Sequence, residues 1–318
     1  MYFKKKNYFL NLCLFFMMFG VYLGLNSTSW IMMWLSMEIT MMFFVPYLML
    51  NKSMMESFSC LKYFIFQCLG SIFFILGSFD FFILNSFGLM LKLGLFPNHF
   101  WMLSVSKSLN WYNFFLIMTV QKILPLMFLF ISLKFILKIF MFLFFINSFI
   151  GNLGSMNQMD LRMLMVFSSM NHISWMILSS IFNMIYFYIY FFFYSLLMVF
   201  LYLLFNKSNI FYMYQIFYMK SLMMKYNHFI IFMMFFSFMG FPPLLGFFMK
   251  MMSLISMSMI FYFFIIFFMI IHNLIISFSY MRLMIFFFMN VSRSLKMTKF
   301  NMKKYFNLMN ISMYMFLI

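Results

Sequence analysis

The chain has little charge and almost no acid: 8% of its 318 residues are charged, and four are aspartate or glutamate. A water-facing globular surface normally needs about a quarter of its residues charged, so an ordinary soluble domain is excluded. Alanine does not occur once. Alanine is the best helix former, so this is no folding preference but the imprint of an AT-rich genome, as in invertebrate organelles. Cys13, Cys60 and Cys68 lack CxxC spacing and histidine neighbours, which excludes a disulfide framework or a zinc site and leaves apolar packing. No histidine pair has metal-ligand spacing. No apolar run alternates with a period of two, as a membrane barrel requires. Nucleotide loops, haem or iron–sulfur motifs and hydrolytic triads are also missing from the sequence.

What is present is apolar: 67% of the residues are hydrophobic, in runs longer than a soluble core uses. Lipid cannot satisfy backbone N–H and C=O groups, so the spans must be helices. The expected fold is all-α, a polytopic transmembrane bundle forming one domain over residues 1–318. At about 20 residues per span, helices are expected near 8–25, 28–50, 58–78, 80–104, 110–131, 134–154, 161–180, 181–205, 228–253, 257–288 and 305–318, eleven in all. The basic triplet Lys4, Lys5, Lys6 ahead of an apolar run imitates a secretory signal, but no A-x-A-like cleavage site follows. The segment is read as the first membrane helix, without an Arg-rich transit peptide.

Charge placement sets the orientation. With the N-terminus inside, the inside loops hold fifteen of the 21 basic residues, Lys52, Lys107, Arg162 and Lys207 among them, and the outside loops hold only Lys134 and Lys138. The formal charge of +17 is therefore an orientation signal, with some attraction to phospholipid head groups. Nucleic acid is not an expected partner, because the cations are scattered over separate loops. The polar stretch 206–227 reads as an inside loop or surface helix.

Glu38, Lys92, Lys122 and Lys250 lie well inside spans, with Arg282 nearer a boundary. Each charge deep in a bilayer costs roughly 2.5–3.5 kcal/mol, so four together approach a whole fold's margin, about 10–14 kcal/mol. Proton transfer explains that cost, because it needs groups that are both charged and neutral near neutral pH. Lysine can serve, whereas arginine does not deprotonate in proteins, and all three mid-span cations are lysine. The plainer alternative is that the lysines snorkel to an interface, or that the charges pair only to fix helix positions.

Prolines accompany these charges. Pro97 follows Lys92, and Pro242 and Pro243 precede Lys250 in Gly240-Phe241-Pro242-Pro243-Leu244-Leu245-Gly246; broken helices are expected at both places, as in transporters. Pro125 frees the carbonyl of Gln121 beside Lys122, either as a third break or as a simple kink. His172 lies mid-span with Ser168 one turn before it and Ser169 near the same face, a wet stripe suited to proton relay. His99 reads equally as a relay or a helix-end partner; His228 and His272 read as structural or interfacial. Gly20 and Gly24 form a GxxxG pair for close helix packing.

Taken in order, Trp34-Leu35-Ser36-Met37-Glu38, Lys92-Leu93-Gly94-Leu95-Phe96-Pro97-Asn98-His99-Phe100-Trp101, Gln121-Lys122-Ile123-Leu124-Pro125-Leu126, Gly154-Ser155-Met156-Asn157-Gln158, Ser168-Ser169-Met170-Asn171-His172 and Gly240 to Lys250 resemble the antiporter-like, proton-pumping subunits of NADH:ubiquinone oxidoreductase, respiratory complex I. The resemblance implies Glu38 and Lys92 as an ion pair, Lys122 as the central proton site and Lys250 as the terminal one. It implies eleven spans, and a hetero-oligomer with the other membrane-arm subunits in the mitochondrial inner membrane, N-terminus in the matrix and C-terminus in the intermembrane space. It also implies no cofactor in this chain, with NADH, FMN, iron–sulfur clusters and ubiquinone held by partner subunits. Asn98, Val120 and Ser155 depart from the family's usual Phe, Trp and Gly. A free-standing cation/proton antiporter of related fold, or a scaffold with merely structural charges, are the competing readings.

Overall fold

The computed structural model describes residues 2–50, 54–78, 82–133, 137–182, 184–218, 224–257 and 263–295; the expected last span, 305–318, lies outside them. Among the described residues the architecture is helical, with no strand and one isolated β-bridge between Asp160 and Tyr212. Three long helices open the chain: α1 (Tyr2–Leu25), α2 (Trp30–Met49) and α3 (Met54–Gly77). Three shorter ones and a longer one follow, α4 (Phe82–Leu93), α5 (Phe100–Ser106), α6 (Trp111–Met118) and α7 (Val120–Leu133). The second half comprises α8 (Leu137–Ser155), α9 (Leu161–Phe182), α10 (Met184–Ser208), a 3-10 turn at Met213–Tyr218, α11 (Met224–Met239), α12 (Leu245–Met257) and α13 (Phe263–Leu295). Six segments in the described residues are long and apolar enough to cross a membrane: Tyr8–Leu25, Trp30–Met49, Met54–Gly77, Trp111–Ser132, Met184–Ser208 and Ile266–Ile285.

Two interruptions share one construction. α4 ends with Gly94 at φ +67°, where Leu95 N–H bonds the Met90 carbonyl and Gly94 N–H bonds the Leu91 carbonyl. α11 ends with Gly240 at φ +87°, with Phe241 N–H on Phe236 and Gly240 N–H on Ser237. Both are left-handed glycine ends of the Schellman type. The prolines come only afterwards, so glycine stops each helix and proline keeps it from resuming. The third interruption departs from the proline reading: Pro125 stays inside α7, and the chain turns instead at Thr119, φ −117° and ψ −76°, six residues upstream. Thr119 holds the Phe115 carbonyl with both its N–H, at 3.0 Å, and its hydroxyl, at 2.8 Å. The helix therefore opens ahead of the proline ring instead of at it.

Small residues bring the helices together. A Cβ on Gly20 would lie 2.8 Å from Thr40 Cγ2, and one on Gly24 would lie 2.4 Å from Leu124 Cδ2, so the GxxxG face of α1 seats α2 and α7. The centre of the molecule is α9, which packs against α8, α10 and α12 and also touches α5, α6 and α7. From Leu161 to Ser180 every residue except Met163 is buried. Large apolar side chains on α1, α3, α10 and α13 face outward, for example Phe15, Ile65, Phe192 and Leu274, the surface expected against lipid or neighbouring chains. The 206–227 stretch is no free loop where it is described: Leu161 N–H bonds Phe211 at 2.9 Å and Met213 N–H bonds Met159 at 3.0 Å.

Candidate functional site

Two of the buried lysines sit at helix ends, and the third reaches the end of a neighbouring helix. Lys92 is in the last turn of α4, and its ammonium meets Glu38 of α2 at 3.5 Å, with the two side chains 2% and 17% exposed. Tight charged hydrogen bonds run to about 2.7–2.9 Å, so this pair is loose. The stem of Lys92 crosses α3 at Gly70, where a Cβ would lie 2.6 Å from Lys92 Cγ. The Lys92 carbonyl, left free by the Schellman end, accepts from Gln67 Nε2 at 3.1 Å.

Lys122 is the third residue of α7, just past the Thr119 turn. Its ammonium donates to Ser169 Oγ on α9 at 2.9 Å and lies 3.4 Å from Met118 Sδ. Both partners are neutral. Its neighbour Gln121 ties α7 to α2 and α3, donating to the Thr40 carbonyl at 3.4 Å and accepting from Tyr63 at 3.2 Å.

Lys250 reaches back from α12 across the second interruption and donates to the Phe238 and Met239 carbonyls at 3.2 and 2.7 Å. A cation at a helix C-terminus is electrostatically favoured. Its stem leaves Gly240 no room: a Cβ there would lie 2.8 Å from Lys250 Cδ. Lys92 and Lys250 thus each meet the negative end of a helix, while Lys122 sits near the positive start of one.

His172 lies between the last two lysines, close enough for both charges to act on its ring. Nδ1 is 2.9 Å from the Tyr190 hydroxyl, and the ring packs against Tyr194 and Phe238, whose carbonyl Lys250 holds. Ser168 does not reach a lysine; its hydroxyl donates to the Met165 carbonyl at 2.9 Å. Ser169, which holds Lys122, and His172, which lies near both Lys122 and Lys250, thus come from one helix, α9, while Glu38 and Lys92 pair between α2 and α4.

Other polar residues fall elsewhere. His99 is buried beside Phe100, with ring centroids 4.1 Å apart, and its Nδ1 makes no hydrogen bond. His272 pairs with Ser148 of α8 at 2.8 Å, between Phe145 and Phe149. The side chain of His228 lies outside the described residues. Arg282 donates to the Gln158 carbonyl at 2.8 Å. The three cysteines are free, Cys13 and Cys60 fully buried and Cys68 partly so.

The structure adds residues that sequence reasoning did not single out. Glu38 is only half-buried, and the fully buried glutamate is Glu56: placed by the span boundaries just before the third helix, it lies in the first turn of α3 and is 3% exposed. Its charge acts on Arg162, a buried arginine that bonds the Leu109 carbonyl and lies over Phe211. Tyr190 and Asn147 are also new. Their only signal in the sequence is a polar atom within an apolar run, which serine and asparagine supply at many positions here.

Three comparisons bear on this arrangement. Residues 78–275 match the family model described as NADH:quinone oxidoreductase/Mrp antiporter, TM. NADH-ubiquinone oxidoreductase chain 2 of Artemia franciscana is 36% identical over 247 residues, 76% of this chain and 78% of that one. Its namesake from Anopheles gambiae is 34% identical over 296 residues, 88% of this chain and 86% of that one. Among solved structures, a chain of respiratory complex I from Thermus thermophilus shares the fold with a TM-score of 0.77 at 17% identity, covering 87% of this chain and 70% of that chain. A chain of an Mrp complex from a Dietzia species does so at 0.74 and 13%, covering 85% and 59%.

Proposed function

The chain belongs to the NADH:quinone oxidoreductase/Mrp antiporter family, among relatives named NADH-ubiquinone oxidoreductase chain 2, and on that premise we propose that it is a core membrane-arm subunit of respiratory complex I. It carries protons across the mitochondrial inner membrane while other subunits pass electrons from NADH to ubiquinone. Those subunits hold the FMN and iron–sulfur clusters; this chain supplies no redox centre and works only as part of the hetero-oligomer, in contact with phospholipid.

The observation that carries this reading is Lys122, 3% exposed and bonded to two neutral partners. An uncompensated charge in a protein interior costs several kcal/mol, on the order of 3–5. No charged partner among the described residues repays that cost, which suits a group that takes up a proton and passes it on. The loose Glu38 to Lys92 pair supplies the switch: while it is closed the charges cancel, and when it opens the Lys92 ammonium repels the proton on Lys122. That proton moves along the α9 stripe past His172 to Lys250, the terminal site toward the intermembrane space. Moving a charge against the membrane potential costs about 2.3 kcal/mol per 100 mV, and opening a buried pair is of that order.

We read α4 with α5, α6 with α7 and α11 with α12 as interrupted spans, ten crossings within the described residues; the eleventh expected span, 305–318, lies outside them. The lysine asymmetry then puts the N-terminus in the matrix and the C-terminus in the intermembrane space. The test is Lys122→Met in the assembled complex: NADH oxidation and assembly persist while protons moved per NADH fall. An unchanged stoichiometry refutes the proton-path reading. Co-migration of the chain with NADH:quinone reductase activity in mild detergent separates it from a free-standing antiporter.

A further inference from the structure

Asn147 is the only side chain among the described residues that hydrogen-bonds both the first interruption and the proton-bearing face of α9. It lies in the middle of α8 with no exposed surface. Its Oδ1 accepts from Phe96 N–H at 3.0 Å, between α4 and α5. Its Nδ2 donates to the Met170 carbonyl and to Ser174 Oγ, both at 2.9 Å. Both amide donors are spent. The backbone partners have fixed polarity, so the amide can sit only one way: flipped, it would set N–H against N–H and oxygen against oxygen.

The two ends of this bridge are informative. Phe96 follows Lys92 by four residues in the interruption that begins just after Lys92, the stretch through which an opening of the Glu38 to Lys92 contact would reach α8. Met170 adjoins Ser169, the acceptor of the Lys122 ammonium, and precedes His172 by two. α8 is held firmly enough to transmit a displacement: Gly151 allows it to touch α9, a Cβ there lying 2.9 Å from the Phe167 carbonyl, and Ser148 anchors it to His272 of α13.

We infer that Asn147 is a positioning residue that couples the Glu38 to Lys92 pair to the Lys122 site, by tying the interruption after α4 to the turn of α9 that bears Ser169. The inference rests on the proton-path reading above. When the pair opens, the interrupted segment shifts, Asn147 follows Phe96, and the Ser169 hydroxyl leaves the Lys122 ammonium. Coupling through a contact network is established only by non-additive perturbation.

The experiment uses the assembled oxidoreductase in liposomes, with NADH oxidation and proton translocation measured together. Asn147→Ser keeps a polar group but is too short to span Phe96 N–H and the Met170 carbonyl at once; Asn147→Leu removes the bridge while keeping the side chain's branched shape. Both are expected to oxidise NADH at parental rates while losing at least half of the translocation that Lys122→Met abolishes. Adding Asn147→Ser to Glu38→Gln is expected to lower translocation no further than Glu38→Gln alone. If Asn147→Leu fails to assemble, Asn147→Ser decides by the same criteria. A parental proton-to-NADH ratio in Asn147→Ser, or additive losses in the double variant, overturns the coupling role. If Lys122→Met itself keeps the parental ratio, the proton-path reading has failed rather than this one.

Discussion

Replacing both members of the Glu38 to Lys92 pair separates a structural charge from a working one. At 3.5 Å the attraction is about 5 kcal/mol at an effective dielectric of about 20. Removing one partner does not cost that much, because the survivor can neutralise itself. For a lone lysine or glutamate held at a pH of about 7.5, neutralisation costs about 4 kcal/mol, some three pK units at roughly 1.4 kcal/mol each. That figure caps the damage of either single replacement. Glu38 is 17% exposed and Lys92 2%, so a lone glutamate keeps some hydration. Lys92→Met is therefore expected to cost about 2–3 kcal/mol and Glu38→Gln about 3–4 kcal/mol, while Glu38→Gln with Lys92→Met leaves no charge to desolvate and costs under about 1 kcal/mol. Resistance of the assembled complex to heat inactivation should thus rank parent, double variant, Lys92→Met, Glu38→Gln. Proton translocation should not follow that rank: the double variant regains stability but not pumping, because nothing remains to open. Parental proton stoichiometry in the double variant would refute the switch and leave the pair a packing device. A double variant less stable than either single one would refute the electrostatic arithmetic.

Three further outcomes follow from the site. Ser169→Ala removes the one oxygen that the Lys122 ammonium hydrogen-bonds among the described residues and should lower translocation several-fold with assembly intact, whereas Ser168→Ala, whose hydroxyl donates to the Met165 carbonyl, should change it little; the two are compared as proton-to-NADH ratios. Gly240→Ala combines a left-handed backbone, costing about 1–2 kcal/mol in any other residue, with a clash against Lys250, so both assembled complex on native gels and translocation should fall. Tyr190→Phe removes one hydrogen bond from His172, worth about 1 kcal/mol, and should slow coupled turnover about five-fold without loss of the complex.

The interior charges were legible in the sequence because the bilayer makes each of them expensive, so Glu38, Lys92, Lys122 and Lys250 stand out against a background that cannot hide them. Their partners were not legible. Ser169, Tyr190 and Asn147 carry no charge, and most hydroxyls in these helices simply bond the preceding turn, as Ser168 does. Which of them turns toward a lysine depends on how α7, α8 and α9 meet, and that is fixed by contacts distant in sequence. At the interruptions after α4 and α11 glycine and proline stand close together in the sequence, and the glycine is the residue with positive φ. Proline alone was a weaker guide: Pro125 remains inside α7, and the chain turns at Thr119 instead.

The burial of α9 also bears on how the protein is made. Ser168, Ser169, Asn171, His172, Ser174, Ser179 and Ser180 leave this helix without a wholly apolar flank, and it is not among the segments apolar enough to enter a bilayer unaided. Those polar groups are covered by α8, made just before it, and by α10 and α12, made after it. Biogenesis is therefore expected to be most vulnerable in the interval between translation of α9 and of α12, when the polar stripe still lacks its later partners.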